Sequence, residues 1–126
     1  MLIHESAENY LEAIFILNRQ NGSVRSIDIA NYLGFSKPSI SVAMKAFKEE
    51  AYILVADDGS ITLTEKGREI AEKMYERHMI IAKGLMALGV SEKTAYADSC
   101  KIEHDISPES FERIKEHLNT HGIFTE

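Results

Sequence analysis

The sequence is poor in cysteine and proline, with one cysteine and two prolines among 126 residues. A single cysteine excludes any disulfide within the chain, so we expect the protein to work in a reducing cytoplasm. No apolar run approaches the roughly 20 residues that a transmembrane helix needs, which predicts no membrane partner. What remains is an ordinary globular balance of 44% hydrophobic and 27% charged residues.

Positive charge is also scarce. The chain has 14 Lys and Arg against 20 Asp and Glu, and its formal net charge is -6. This balance is unusual for a nucleic-acid binder, although binding depends on local charge rather than on the total. A bound divalent cation would remove part of the acidity. The charge therefore leaves two classes of protein open, a DNA-binding regulator and a helical protein-interaction module.

Apolar spacing and turn residues predict a mainly α fold with one small β-hairpin. Ser26, Ser36 or Lys37, and Thr64 are the expected helix N-caps. The predicted helices cover about 6–19, 26–33, 38–49, 64–88, a stretch of about a dozen residues from 91, and a last helix from 107, with strands at 52–56 and 61–63.

Two short helices separated by Gly34 and followed by a hairpin have the order of a winged helix-turn-helix. Ile27 is expected to supply an apolar contact in the first of them, and Val42, Phe47 and Ala46 to face a core in the second. Short hydroxyl side chains at the start of the second helix suit entry into a DNA major groove, and lysines on its polar side suit phosphates. The candidate DNA-binding residues are Arg25, Ser36, Lys37, Pro38, Ser39, Ser41, Lys45 and Lys48.

The second half of the chain consists of amphipathic helices with little of their own to pack against. Ile81, Leu85 and Leu88 continue one apolar stripe, and Phe111 and Ile114 begin another. Dimerisation is the economical way to bury such faces, so we expect a homodimer. The predicted domains are a winged helix-turn-helix over 1–63 and a helical metal-binding and dimerisation domain over 64–126.

Cys100, Glu103 and His104 stand at i, i+3 and i+4 of a predicted helix and share one face. A thiolate, a carboxylate and an imidazole at one place suit a divalent transition metal. An ordinary polar helix surface is the alternative. A nucleophile–base pair of Cys100 and His104 is another, but no oxyanion hole or substrate pocket is recognisable, so we expect no enzyme.

Five motifs are spread along the chain: Glu8 to Ile14, Ile29 to Lys48, Leu63 to Gly67, Arg77-His78 and Cys100 to His104. Together they resemble the diphtheria-toxin-repressor family of metal-dependent regulators, and its compact manganese-transport-regulator branch most. This resemblance implies a metal-dependent repressor of iron or manganese homeostasis that binds a palindromic DNA operator. It also implies that the C-terminal barrel of longer members is absent.

The resemblance also implies a ligand set and a role for the metal. Where Cys100 stands, the manganese branch has a carboxylate and the iron branch a cysteine, so Fe2+ is expected first, with Mn2+ close behind and Zn2+ or Co2+ binding in vitro. The ancillary metal site of the iron branch would need ligands where Ala82 and Tyr96 stand. The metal would act as corepressor by fixing the spacing of two recognition helices. The implied ligands are Asn9, Glu12, His78, Cys100, Glu103 and His104.

Overall fold

The computed structural model describes residues 5–121, and this part of the chain is mainly helical, as predicted. The chain forms two compact units, Met1–Lys73 and Met74–Glu126, and the boundary between them falls within α4. The elements in order are α1 Glu5–Asn21, α2 Ser26–Leu33, α3 Lys37–Glu49, β1 Ile53–Val55, β2 Ile61–Leu63, α4 Glu65–Ala87, α5 Glu92–Asp105 and α6 Pro108–Thr120.

In the first unit, α2 and α3 form the predicted helix-turn-helix. Gly34 ends α2 in the left-handed conformation, at φ 73°, which a residue without a Cβ adopts at little cost. Ser36 then caps α3, because its Oγ accepts a hydrogen bond of 3.3 Å from the Ser39 N–H. Pro38 lies in the first turn of α3, where its missing N–H has no helical partner to lose.

The wing is an antiparallel pair in which β1 and β2 align Ile53 with Leu63 and Val55 with Ile61. The first strand, β1, is shorter than the strand predicted over 52–56. Tyr52 precedes the strand, and it is buried while its carbonyl accepts a hydrogen bond of 3.1 Å from the Thr64 N–H. That bond turns the chain from the wing into α4.

Three sequence expectations about caps and cores were wrong. Arg25, not Ser26, is the N-cap residue of α2, because its backbone is extended and its carbonyl accepts the first helical hydrogen bond, from the Ile29 N–H at 3.3 Å. Val42 is 72% exposed and Ala46 is also exposed, so the buried face of α3 is rotated from the predicted one. The residues that do fill the core from α3 are Ile40, Met44 and Phe47.

Two further apolar residues lie outside the cores to which the sequence assigned them. Ile27 is 41% exposed on α2, where Ile29 and Ala30 supply the buried contacts. Leu88 is 83% exposed and follows the last residue of α4, so the predicted stripe ends before it. Among the described residues, no helix is both long enough and apolar enough to span a bilayer.

Candidate metal centre

Three of the predicted ligands converge within the second unit. Ligand atoms of His78, Cys100 and Glu103 all lie within 4.8 Å of one another. His78 comes from α4, and the other two come from successive turns of α5. The i, i+3 spacing places Cys100 and Glu103 on one face of α5, as the sequence predicts.

Glu103 is the centre of this cluster. It is fully buried, and among the described residues neither of its carboxylate oxygens has a hydrogen-bond partner. His78 Nδ1 lies 3.2 Å from Oε2, and His104 Nε2 lies 3.4 Å from Oε1, but neither approach is aligned as a hydrogen bond. A buried carboxylate costs free energy unless it is bonded or paired. Its two orphaned oxygens, between two imidazoles and a thiol, fit a divalent cation.

The protonation of His78 reflects the same cluster. Its Nδ1 lies 3.7 Å from Cys100 Sγ. The close contacts with Cys100 and then with the Glu103 carboxylate raise the pKa of His78 to about 10. The imidazole therefore carries a proton at neutral pH in the metal-free protein, and that proton would leave when a cation binds Nδ1.

Ser99 supports His78 and was not singled out by the sequence. Its side chain is completely buried, and its Oγ donates a hydrogen bond of 2.6 Å to the His78 carbonyl. The same Oγ lies 2.9 Å from His78 Nδ1. A small hydroxyl before a cysteine gives no sequence signal, because only the packing of α5 on α4 brings it to the imidazole.

Tyr96 occupies the neighbourhood where the family resemblance would place an ancillary imidazole. Its ring centroid lies 5.5 Å from that of His78. Ala82, at the other implied position, is completely buried and has no ligand atom in its side chain. This side of His78 therefore offers an aromatic surface and a methyl group instead of two further donors.

Of the three other predicted ligands, His104 is on α5 beside Glu103, and Asn9 and Glu12 lie on α1 in the first unit. They are three residues apart and so are neighbours on one side of the helix. Glu12 is only 6% exposed, and Asn9 is half-buried. Their part in a metal centre stays a prediction.

The eight candidate DNA-binding residues all belong to the first unit, and all are exposed. Ser36 and Ser39 bond to each other through their hydroxyls at 2.9 Å. Lys37, Ser41 and Lys45 follow one another at intervals of four along α3 and therefore share a face. The sequence missed Val42, which adds an exposed apolar group beside these polar side chains.

Two family models together match nearly the whole chain. The iron-dependent repressor N-terminal DNA-binding domain matches residues 2–61, and the iron-dependent repressor metal-binding and dimerisation domain matches residues 64–121. The transcriptional regulator MntR of Geobacillus kaustophilus is 33% identical over 109 residues, which are 86% of this chain and 77% of that protein. The chain belongs to the iron-dependent repressor family.

Membership confirms the resemblance to the diphtheria-toxin repressors and the fold class expected from the sequence. An uncharacterised HTH-type transcriptional regulator of Methanocaldococcus jannaschii is 34% identical over 113 residues, 88% of this chain and 90% of that one. The structure of the manganese regulator SloR matches with a TM-score of 0.78 and 27% identity over 94% of this chain. This chain spans 55% of the SloR chain. The first two of these relatives are named transcriptional regulators, and SloR is named a manganese regulator.

Proposed function

We propose that this protein is a transcriptional repressor for which a divalent metal is the corepressor. The observation that carries the proposal is the buried carboxylate of Glu103, whose two oxygens are unbonded among the described residues beside His78 and Cys100. The site residues would be His78, Cys100, Glu103 and His104, joined by Asn9 and Glu12. When bound, the cation supplies positive charge that offsets the buried carboxylate and any thiolate.

The donor set favours Fe2+ in the cell, with Mn2+ next. Cys100 is a soft ligand and His78 an intermediate one, whereas the carboxylates also accept Mn2+. A solved member of the family, 26% identical to this chain, is a manganese-dependent repressor in complex with manganese. Because Cys100 replaces a carboxylate that could bridge two ions, the proposal is for one principal metal in each subunit.

Double-stranded DNA is the proposed partner of the first unit, with a palindromic operator as the target. The exposed start of α3 presents short hydroxyls and N–H groups, and Lys45 and Lys48 follow on the helix surface. The wing tip is acidic, and hydrogen bonds from Ser60 hold the pKa of Asp58 below its usual value. The wing tip therefore repels phosphate, so α3 and the basic residues near it carry the contact.

A second copy of the chain is the proposed partner of the second unit. A groove of about 570 Å³ runs along α4, α5 and α6 and is lined mainly by apolar side chains, among them Ile81, Leu85, Ile102 and Ile114. The matched family model covers this segment as a dimerisation domain. Two copies joined here would carry two recognition helices to half-sites roughly 34 Å apart, or a multiple of that.

The proposed coupling uses ligands from α1 in the first unit and from α4 and α5 in the second. If Asn9 and Glu12 of α1 complete the coordination that His78 and α5 begin, α1 and the DNA-binding unit are fixed only in the metal-bound state. The cation then has a higher affinity for the arrangement that matches the operator, which is the thermodynamic requirement for a corepressor. A transcriptional repressor that binds DNA would work in the cytoplasm, which is the location we propose.

The test is DNA affinity measured by fluorescence anisotropy with and without Mn2+. The duplex is a palindrome selected from a random pool by the metal-loaded protein. We expect Mn2+ to raise affinity about 10- to 100-fold, as typical coupling free energies allow, and EDTA to reverse it. Glu103→Gln should abolish the rise, whereas Glu109→Gln, at an exposed carboxylate on α6, should keep it. Affinity indifferent to metal and chelator would instead favour a winged-helix regulator that does not sense metal.

A further inference from the structure

Arg77 is a buried cation immediately before His78 on α4. It is only 5% exposed. Burying a charged group costs free energy unless the group is paired and hydrogen-bonded, so the burial of Arg77 requires a reason. We propose that Arg77 is a positioning residue, which holds Glu103 and His104 ready for the cation by capping the end of α5. This inference rests on the proposed metal site.

Among the described residues, Arg77 makes hydrogen bonds only to the last turn of α5 and to the residue that follows it, and its buried Nε has no partner there. Nη1 donates to the carbonyl of Glu103 and to the carbonyl of Ile106, each at 3.0 Å. The helix ends at Asp105, and Ile106 is its C-cap. The final carbonyls of a helix have no intrahelical donor, and they form the negative end of its dipole. A guanidinium placed there satisfies both needs.

The same guanidinium reaches the next helix. Its Cζ lies 5.3 Å from the ring centroid of Phe111, in the first turn of α6. This cation–π contact gives the buried guanidinium a second partner besides the α5 carbonyls. Arg77 thus ties the end of α5 and the start of α6 to one position on α4.

The position on α4 is what links this contact to the metal. Glu103 and His104 lie in the turn that Arg77 caps, and His78 is the next residue after Arg77. Glu103 needs such support, because a buried carboxylate with two unbonded oxygens would otherwise draw the end of α5 toward water. Ser99 connects the two helices in the other direction, because its Oγ on α5 donates a hydrogen bond of 2.6 Å to the His78 carbonyl on α4. Together they hold the donors on the two helices in register before metal arrives.

The experiment measures Co2+ binding to the full chain by its visible absorption bands, whose energies report the number and geometry of the ligands. Arg77→Met should lower Co2+ affinity about 10- to 100-fold, the usual cost of losing a residue that orients a metal ligand. It should also shift the absorption bands. Arg77→Lys should lose less than about tenfold, because one ammonium can serve the two carbonyls that Nη1 serves now.

Met74→Ala is the matched control. Met74 is buried one turn earlier on α4, and its side chain has no N–H to donate to the carbonyls of α5, so its truncation tests the effect of lost packing alone. It should melt at a lower temperature and bind Co2+ with the parent affinity and spectrum. If Arg77→Met also keeps the parent affinity and spectrum while it melts at a lower temperature, Arg77 is only a structural residue and the inference fails.

A second variant decides the matter if Arg77→Met does not fold. Phe111→Leu removes the ring beneath the guanidinium and leaves Arg77 in place. We expect it to shift the Co2+ bands and to weaken binding, and unchanged bands and affinity would overturn the inference. Absence of Co2+ binding by the parent chain itself is a different result, because it would refute the proposed metal site.

Discussion

The two compact units differ in what fills their interiors. The first unit has a continuous apolar core, to which α1, α2, α3, both strands and the start of α4 contribute. The second unit buries a carboxylate, a guanidinium and a hydroxyl, those of Glu103, Arg77 and Ser99, beside a few apolar side chains. Apolar burial is indifferent to solutes, whereas a buried charge depends on what is bound to it. The apolar core of the first unit should therefore be constant, whereas the buried charges, Glu12 of the first unit among them, should depend on a bound cation.

The largest effect should come from truncating the core of the first unit. Ile29 is completely buried, so Ile29→Ala should lower the free energy of unfolding by about 2–5 kcal/mol. The loss should be equal with Mn2+ and with EDTA, because no proposed ligand is on α2. Urea titrations in both conditions measure it.

Ile27→Ala is the control for that substitution. Ile27 is on the same helix but is 41% exposed, so its truncation should cost only about 0.5 kcal/mol. A loss for Ile29→Ala that depends on metal would break the contrast between a constant unit and a responsive one.

Most of the fold could be predicted from the sequence, because helix periods and cap residues are local signals. The hairpin and the helix-turn-helix follow from Gly34, Ser36, Pro38 and the turn at Asp58-Gly59. The rotation of α3 could not be predicted, since Val42 and Met44 are equally apolar and only tertiary packing selects which is buried.

The candidate site was predictable in part for the same reason. The spacing of Cys100 and Glu103 is local to one helix, and their approach to His78 was expected from the family resemblance. Arg77 and Ser99 carried no comparable signal for the contacts they make. The sequence does not distinguish a buried arginine from an exposed one. Only the packing of the end of α5 on α4 reveals the hydrogen bonds that Arg77 and Ser99 make.

The second prediction concerns the stabilisation that metal gives to the second unit. At a free Mn2+ concentration of 100 times Kd, binding should stabilise the folded chain by about 2.7 kcal/mol. Glu103→Gln should remove most of this gain, because a neutral amide is a much weaker ligand than a carboxylate. Thermal melts with Mn2+ and with EDTA give the difference. A Glu103→Gln variant that keeps the whole shift would place the metal elsewhere.

The third prediction is a pH dependence that belongs to the metal-free protein. Because the pKa of His78 is raised from 6.5 to about 10 in the folded chain, folding favours the protonated ring. That contribution is complete below about pH 6.5 and is lost as the pH rises toward about 10, with a slope of at most about 1.4 kcal/mol per pH unit.

Melts in EDTA across this pH range test the sign. The parent should lose stability as the pH rises, and His78→Gln should show a flatter profile. Mn2+ affinity should move in the opposite direction and increase with pH, because the ring must release its proton to bind. Equal slopes for the parent and for His78→Gln would show that another group is responsible.

The smallest effect distinguishes two glycines of α4 that lie in different units. A Cβ on Gly67 would collide with the carbonyl oxygen of Tyr52, which belongs to the backbone and cannot move away easily. A Cβ on Gly84 would instead lie 3.1 Å from Cδ1 of Leu118, which is the end of a flexible side chain. Alanine also gains about 1 kcal/mol over glycine inside a helix. Gly84→Ala should therefore change the free energy of unfolding by less than about 1 kcal/mol, and Gly67→Ala should lower it by about 1–3 kcal/mol. Urea titrations that gave equal losses would mean that α6 is packed against α4 as rigidly as the wing is, and that the second unit has less freedom to adjust around a cation than its polar interior implies.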